Sequence, residues 1–155
     1  MYAIVRLRGT VNIQPEINYT LDLLRLRRVN HCVVVEENAY YDGMLQKVKD
    51  YVAWGEISED TLELLLRRRG RIEGGNRLTD EYLRDHTSCP GIKELAHALA
   101  EGRLRLKDMG PLKIKPLFRL HPPRKGHKGI KRSMKQGGEL GYHGDAINKL
   151  LFKMR

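Results

Sequence analysis

"YAIVRLRG", residues 2–9, decides how the rest of the chain is read. Ala3, Val5 and Leu7 alternate with Tyr2, Ile4, Arg6 and Arg8, the period of two that belongs to a β-strand, and Gly9 ends it. Pro15 then suits the first turn of a helix. Ile17, Leu21 and Leu24, with Arg28, predict that this helix continues to about residue 28. "HCVVVEE" (31–37) is an apolar, β-branched run that reads as a second, central strand buried on both faces. Asn38 is placed to cap a helix over 39–50 with Met44, Leu45 and Val48 inward, and "YVAWGEI" (51–57) reads as a third strand. Residues 1–57 therefore form a β-α-β-α-β module of the α+β class. Its short connections predict a small sheet with both helices on one face. The pattern leaves parallel and antiparallel pairing open.

Residues 58–155 read as an extension. Ser58 caps a helix with Glu59 and Asp60 in its first turn and Arg67, Arg68 and Arg69 in its last, before Gly70. That arrangement suits the helix dipole, so "RRRGR" has a structural explanation beside an RNA-contact one. "RIEGGNR" is a turn, Thr79 opens a short helix to about His86, and Ile92, Leu95, Ala96 and Leu99 mark a further helix closed by Gly102. Pro111 and Pro116 interrupt an apolar and basic stretch over 103–120, which predicts short extended pieces rather than helix. Residues 121–143 hold five glycines and Pro122–Pro123, a loop composition. Asp145 then opens a last helix in which Ile147, Leu150, Leu151 and Met154 must dock on the body. The basic loop, taken as 119–143, is consequently tethered at both ends.

Charge is distributed unevenly. The 155-residue chain has 29 Lys+Arg against 19 Asp+Glu, a formal +10. Residues 1–102 carry 14 basic and 16 acidic side chains, whereas residues 103–135 carry 12 basic and one acidic, Asp108. Such a localised excess speaks to partners rather than to fold, and the usual partners are nucleic acid or an anionic membrane. No apolar run approaches the roughly 20 residues of a membrane span, and lipid-binding basic segments carry large apolar anchors that this loop lacks. Cys32 and Cys89 stand far apart without metal-ligand spacing and read as reduced thiols of a cytosolic protein.

Catalytic motifs are missing. Glu36–Glu37 and Asp80–Glu81 sit at a strand end and a helix start, where solvated or capping roles suffice. The histidines offer no metal-binding spacing, and "KGHKGIKRS" lacks the spacing of a phosphate-binding loop. No metal or other cofactor is expected. Arg124, Lys125, Lys128, Lys131, Arg132 and Lys135 fall within twelve residues, beside Arg119 and the histidines His121, His127 and His143. Cations neutralise phosphates and release counterions, and glycines let the backbone approach a phosphate chain. An irregular Gly/Pro/basic loop without a recognition helix or stacking aromatics suits folded RNA, read by shape and backbone. These ten residues form the candidate RNA-binding set, with the histidines facing phosphate or base.

The first 55 positions also carry a likeness. "VRLRG", "TLDLLRLRRVN", "VVVEE" and "GMLQKVKDYV", followed by "YVAWGEIS", "LLLRRRGR", "PLFRLHPPRKG" and "GGELGYHGDAINKLLFKMR", resemble the universal "L thirty" family of large-subunit ribosomal proteins. The match is to the longer archaeal and eukaryotic form, called "L seven" in eukaryotes, and spans essentially the whole chain. The resemblance implies an antiparallel, ferredoxin-like β-α-β-α-β core and a structural, non-catalytic role on large-subunit ribosomal RNA in the cytoplasm. It implies neighbouring ribosomal proteins as partners, and proximity to the small five S ribosomal RNA. It extends the RNA-facing set to Arg6, Arg8, Arg25, Arg27 and Arg28. The basic N-terminal arm of eukaryotic members has no counterpart before the first strand, so an archaeal-type protein is expected. The competing readings are an enzyme acting on RNA or another anionic substrate, and a free nucleic-acid-binding regulator.

Overall fold

The computed structural model describes residues 1–155. Its centre is β1 (Tyr2–Arg6), flanked by β2 (His31–Val35) and β3 (Val52–Glu56), each antiparallel to it. Between them come α1 (Pro15–Leu23) and α2 (Ala39–Val48). The register sets Ile4 beside Val33 and Trp54, and Val5 beside Cys32 and Ala53. Strand alternation then sends the first row to one face and the second row to the other. Ile4, Val33 and Trp54 join Leu21, Leu24, Leu26, Leu45 and Val48 in a core beneath α1 and α2. Ala3, Val5, Cys32, Val34 and Ala53 enter a larger core on the opposite face.

The extension supplies that second layer. It contains α3 (Glu59–Arg69), α4 (Asp80–His86), α5 (Ile92–Ala100) and α6 (Ile147–Met154), whose apolar faces share the larger core with the sheet. Two short strands widen the sheet to the order β4-β2-β1-β3-β5, with β4 (Phe118–Arg119) antiparallel to β2 and β5 (Gly141–Tyr142) parallel to β3. The three-stranded centre is antiparallel, as the family likeness implied, and the whole five-stranded sheet is mixed. The central position belongs to β1, which β2 and β3 flank along its length; β2 is interior too, with Cys32, Val33 and Val34 buried, although β4 covers it only at His31 and Cys32.

Helix boundaries follow local chemistry. Asn38, Ser58 and Thr79 each accept a backbone N–H from the third residue on, namely Tyr41, Thr61 and Tyr82. The expected α1 to residue 28 is too long. Leu26 N–H donates to the Leu21 carbonyl and Arg25 N–H to the Asp22 carbonyl, with Arg25 at φ 62°. This is a Schellman ending with an arginine in the left-handed position, where glycine is usual, and Leu21 and Leu26 make its apolar contact. The 103–120 segment is two 3-10 turns, Leu106–Asp108 and Gly110–Leu112, before β4. No helix is long and apolar enough to cross a membrane.

Docking of α6 needs a glycine in β3. A Cβ on Gly55 would stand 2.1 Å from the Gly144 carbonyl oxygen, so only glycine permits this approach. Asn148 completes the joint: its Nδ2 donates to the carbonyls of Glu56 and Asp145, and its Oδ1 accepts from Ser58 N–H at 2.9 Å.

Candidate nucleic-acid interface

All five strands present one common end. β1 runs toward it and finishes at Arg6, while β2 and β3, being antiparallel to β1, start there at His31 and Val52. β4 runs toward it, placing Arg119 opposite His31, and β5 starts there with Gly141 opposite Ala53. The basic loop therefore leaves one edge of the sheet and returns at the other edge of the same end. Its root is fixed where His121 N–H donates to the Met154 carbonyl and Arg124 N–H to that of Lys153, at the end of α6. Its return is fixed by His143 N–H donating to the Trp54 carbonyl at 2.7 Å.

Between these anchors the loop bonds to itself. Met134 N–H donates to the Leu140 carbonyl, Leu140 N–H to that of Arg132, and Glu139 N–H to that of Gly129. Gly138 crosses so close to residue 132 that a Cβ there would lie 2.0 Å from the Arg132 oxygen. Glu139, the loop's one acidic residue, is buried and its carboxylate is held by His127. The outer surface is left cationic: Arg124, Lys125, Lys128, Lys131, Arg132 and Lys135 are all exposed. None of them takes part in any of the eleven ion pairs.

The three loop histidines are not outward probes. His127 is turned inward onto Glu139, with 17% of its side chain exposed. His143 Nε2–H donates to the Glu139 carbonyl at 2.8 Å, and His121 Nδ1–H donates to the Pro122 carbonyl at 2.6 Å. Each closes a polar group inside the loop or at its root, so each acts first as a strut.

The arginines of the N-terminal module separate into four situations. Arg6, expected to face RNA, is 1% exposed. Its Nε donates to the Arg8 carbonyl at 2.8 Å and its Nη1 to the Leu26 carbonyl at 2.7 Å. Burial pulls its pKa down, opposed by nearby Asp22 and Tyr51. It shares a strand face with Ile4, and α1 and α2 cover that face, so it offers no surface to a phosphate. Arg8, past the end of β1, lies beyond that cover: its Nη1 donates to the Asp50 carbonyl at 3.2 Å, and its guanidinium stands 5.0 Å over the Tyr51 ring. Arg27 and Arg28 are exposed; Arg27 approaches Asp22 at 3.9 Å, and Arg28 with Arg119 helps hold the half-buried His31 below its ordinary pKa, after burial itself. Arg25 is exposed too, but it borders an apolar recess formed with Leu23, Leu24, Val33 and Val35.

The structure brings Arg8 together with the loop. Arg8, Lys49, Lys131 and Lys135, with Asn12 and Gln14, line a cleft of about 680 Å³ where β1, the start of β3 and the loop meet. Lys49, Asn12 and Gln14 were missed in the sequence, because nothing local relates them to Lys131 and Lys135, more than 80 residues further along the chain. Arg119 opens instead onto a second cleft. The paired carboxylates are structural: Glu36 meets Arg105 and Lys107, Glu37 holds the N-terminal amine, and Asp80 accepts from Ile92 N–H at 2.8 Å and approaches Arg67 at 3.7 Å.

Known proteins share this whole arrangement in sequence. The family model described as ribosomal protein L30p/L7e matches residues 2–52, which hold β1, β2, α1 and α2 and end at the first residue of β3. The large ribosomal subunit protein uL30 of Methanocella arvoryzae is 58% identical over 155 residues, the full length of both chains. Those of Methanothrix thermoacetophila and Archaeoglobus fulgidus are 57% and 55% identical, again over the full length of both. Likeness of that extent covers the central module, the second layer and the basic loop alike, and the chain belongs to the ribosomal protein L30p/L7e family.

Proposed function

We propose that this chain is a structural, non-catalytic constituent of the large ribosomal subunit, and that it grips ribosomal RNA with the common end of its sheet. Family membership supports the assignment to the ribosome, in the cytoplasm, among ribosomal RNA and neighbouring ribosomal proteins. One observation carries the assignment of the surface. Six cations stand exposed on a loop that is pinned at both ends and internally hydrogen-bonded, and no carboxylate of the chain answers any of them. A loop held in shape loses little entropy on binding, so its charges act on phosphates at small ordering cost. Arg8 and Lys49 extend the same surface across the cleft.

The test is to replace Arg124, Lys125, Lys128, Lys131, Arg132 and Lys135 by glutamine. Binding to deproteinised large-subunit ribosomal RNA is then followed against salt. Each lost phosphate contact lowers the slope of log affinity against log salt by about 0.7–0.9, so a fall of several units is expected. The circular dichroism spectrum stays that of the parent. An unchanged slope removes the loop from the interface. Co-sedimentation with large subunits at high salt separates a resident component from a free RNA-binding regulator.

A further inference from the structure

A second cationic cleft lies on the opposite edge of the sheet from the Arg8–Lys135 cleft. Arg69, Arg71, Lys115 and Arg119, with Gly75 and Leu117, line a concavity of about 340 Å³. Its cations come from four places: the end of α3, the turn that follows it, the strand-like run before β4, and β4 itself. Backbone hydrogen bonds fix them relative to one another. Lys115 N–H donates to the Arg71 carbonyl at 2.8 Å, Glu73 N–H to the Lys113 carbonyl at 2.7 Å, and Arg119 is paired in register with His31.

The helix dipole does not account for this cluster. Within the triplet at the end of α3, Arg67 is engaged by Glu63 at 2.9 Å and by Asp80 at 3.7 Å. Arg69 has no such partner, and neither have Arg71, Lys115 and Arg119. A dipole favours cations on the last helical turn alone. Here residues 71, 115 and 119 bring three more positive charges to the same hollow, where mutual repulsion opposes folding unless an anion fills it.

We infer that this second cleft binds the phosphate backbone of an RNA segment separate from the one held at the loop, so that the protein clamps two RNA segments across the width of its sheet. This rests on the RNA-binding role proposed above. Phosphodiester is the anion of choice because the cleft continues the common end of the sheet: Arg119 adjoins His31 and Arg28, and Arg8 and the loop follow beyond them. Arg119 on β4 and Gly141 on β5, at the far side of the first cleft, are four inter-strand spacings of about 4.8 Å apart, roughly 20 Å, while Arg8 follows β1, two spacings from β4. The outer span is too wide for neighbouring phosphates of one strand.

The experiment uses the full chain with deproteinised large-subunit ribosomal RNA as probe. The variant R69Q/R71Q/K115Q is compared with the six-residue loop variant and with R71K, which keeps the charge. The cleft variant is expected to lower the salt slope by about 2–3 and to weaken binding at least tenfold, R71K to bind nearly as the parent does, and circular dichroism to be unaltered. In parallel, a photo-crosslinker is placed at position 115 in one sample and at position 131 in another, and the crosslinked nucleotides are sequenced. Attachment to two RNA segments distant in the RNA sequence supports the clamp. Attachment of both to one contiguous strand, attachment of position 115 to protein alone, or a cleft variant with the parent slope overturns it. A loop variant that loses its slope while the cleft variant keeps it sinks this inference alone. The reverse pattern, with the loop variant unchanged, sinks the loop assignment and leaves the cleft as the grip. If R69Q/R71Q/K115Q fails to fold, K115Q alone, with an expected fall of about 0.7–0.9 in slope, decides the matter.

Discussion

Arg6 ends β1, Arg8 stands two residues beyond it, and the two serve opposite ends. The alternation of "YAIVRLRG" extends the strand through Arg8, whereas β1 ends at Arg6, and alternation does not say how far the covering helices reach. They reach Arg6 and stop before Arg8. A buried guanidinium must find acceptors, and Arg6 finds the carbonyls of Arg8 and Leu26, joining the end of β1 to the segment after α1. Arg6→Met removes both donors and leaves two carbonyls unanswered, an expected loss of roughly 2–4 kcal/mol of stability in urea unfolding. The folded variant should keep the parent's salt slope for RNA. A lowered slope with intact stability would return Arg6 to the interface. Cys32, on the other face of the sheet, is wholly enclosed, and desolvation pushes its pKa up.

Among elements, those announced by chemistry at their ends were legible. Asn38, Ser58 and Thr79 begin helices in the structure as in the sequence, and α6 docks through Ile147, Leu150, Leu151 and Met154. The end of α1 was not, because its left-handed residue is an arginine, and Leu24 with Arg28 continues the helical spacing of Ile17 and Leu21 past what is a Schellman turn. Two-residue strands such as β5 carry too little pattern to be seen; β5 exists because β3 offers an edge and Gly141, at φ 94°, turns the chain onto it. A side-chain bond reinforces that edge: Tyr142 O–H donates to the Glu56 carboxylate, which pushes the tyrosine pKa up to about 12. The phenol is exposed, so solvent screening keeps the effect modest. The folded state favours the protonated phenol, so the contribution is complete below pH 10, the ordinary tyrosine value, and is lost as pH rises through about 12. Tyr142→Phe should therefore narrow its stability deficit against the parent over that alkaline window. A deficit that stays constant, or widens, would show that the hydrogen bond does not govern the titration.

At the scale of the whole molecule, charge was more legible than geometry. The counts along the chain located the cationic segment at 103–135 without any structure, but they could not divide it between two edges of a sheet. That division depends on β4 and β5 flanking strands formed more than 60 residues earlier, a long-range pairing that local pattern does not encode. The arrangement has a thermodynamic consequence for the protein without RNA. Cations gathered at one end repel one another over a Debye length of about 30 Å at 0.01 M salt, which shrinks to about 10 Å at 0.1 M. Surface ion pairs elsewhere, such as Lys47 with Glu16 and Arg105 with Glu36, weaken on the same screening, though exposed pairs contribute little. Repulsion should win. Raising monovalent salt from about 0.01 to 0.2 M is expected to increase the Tm of the free protein by about 2–6 °C, the size of shift that roughly 1–2 kcal/mol gives a chain of this length. The six-residue loop variant should start from a higher Tm at low salt and respond less. A Tm that falls with salt in the parent would mean that ion pairs outweigh the gathered cations, and the view of both clefts as charged surfaces awaiting an anion would fail with it.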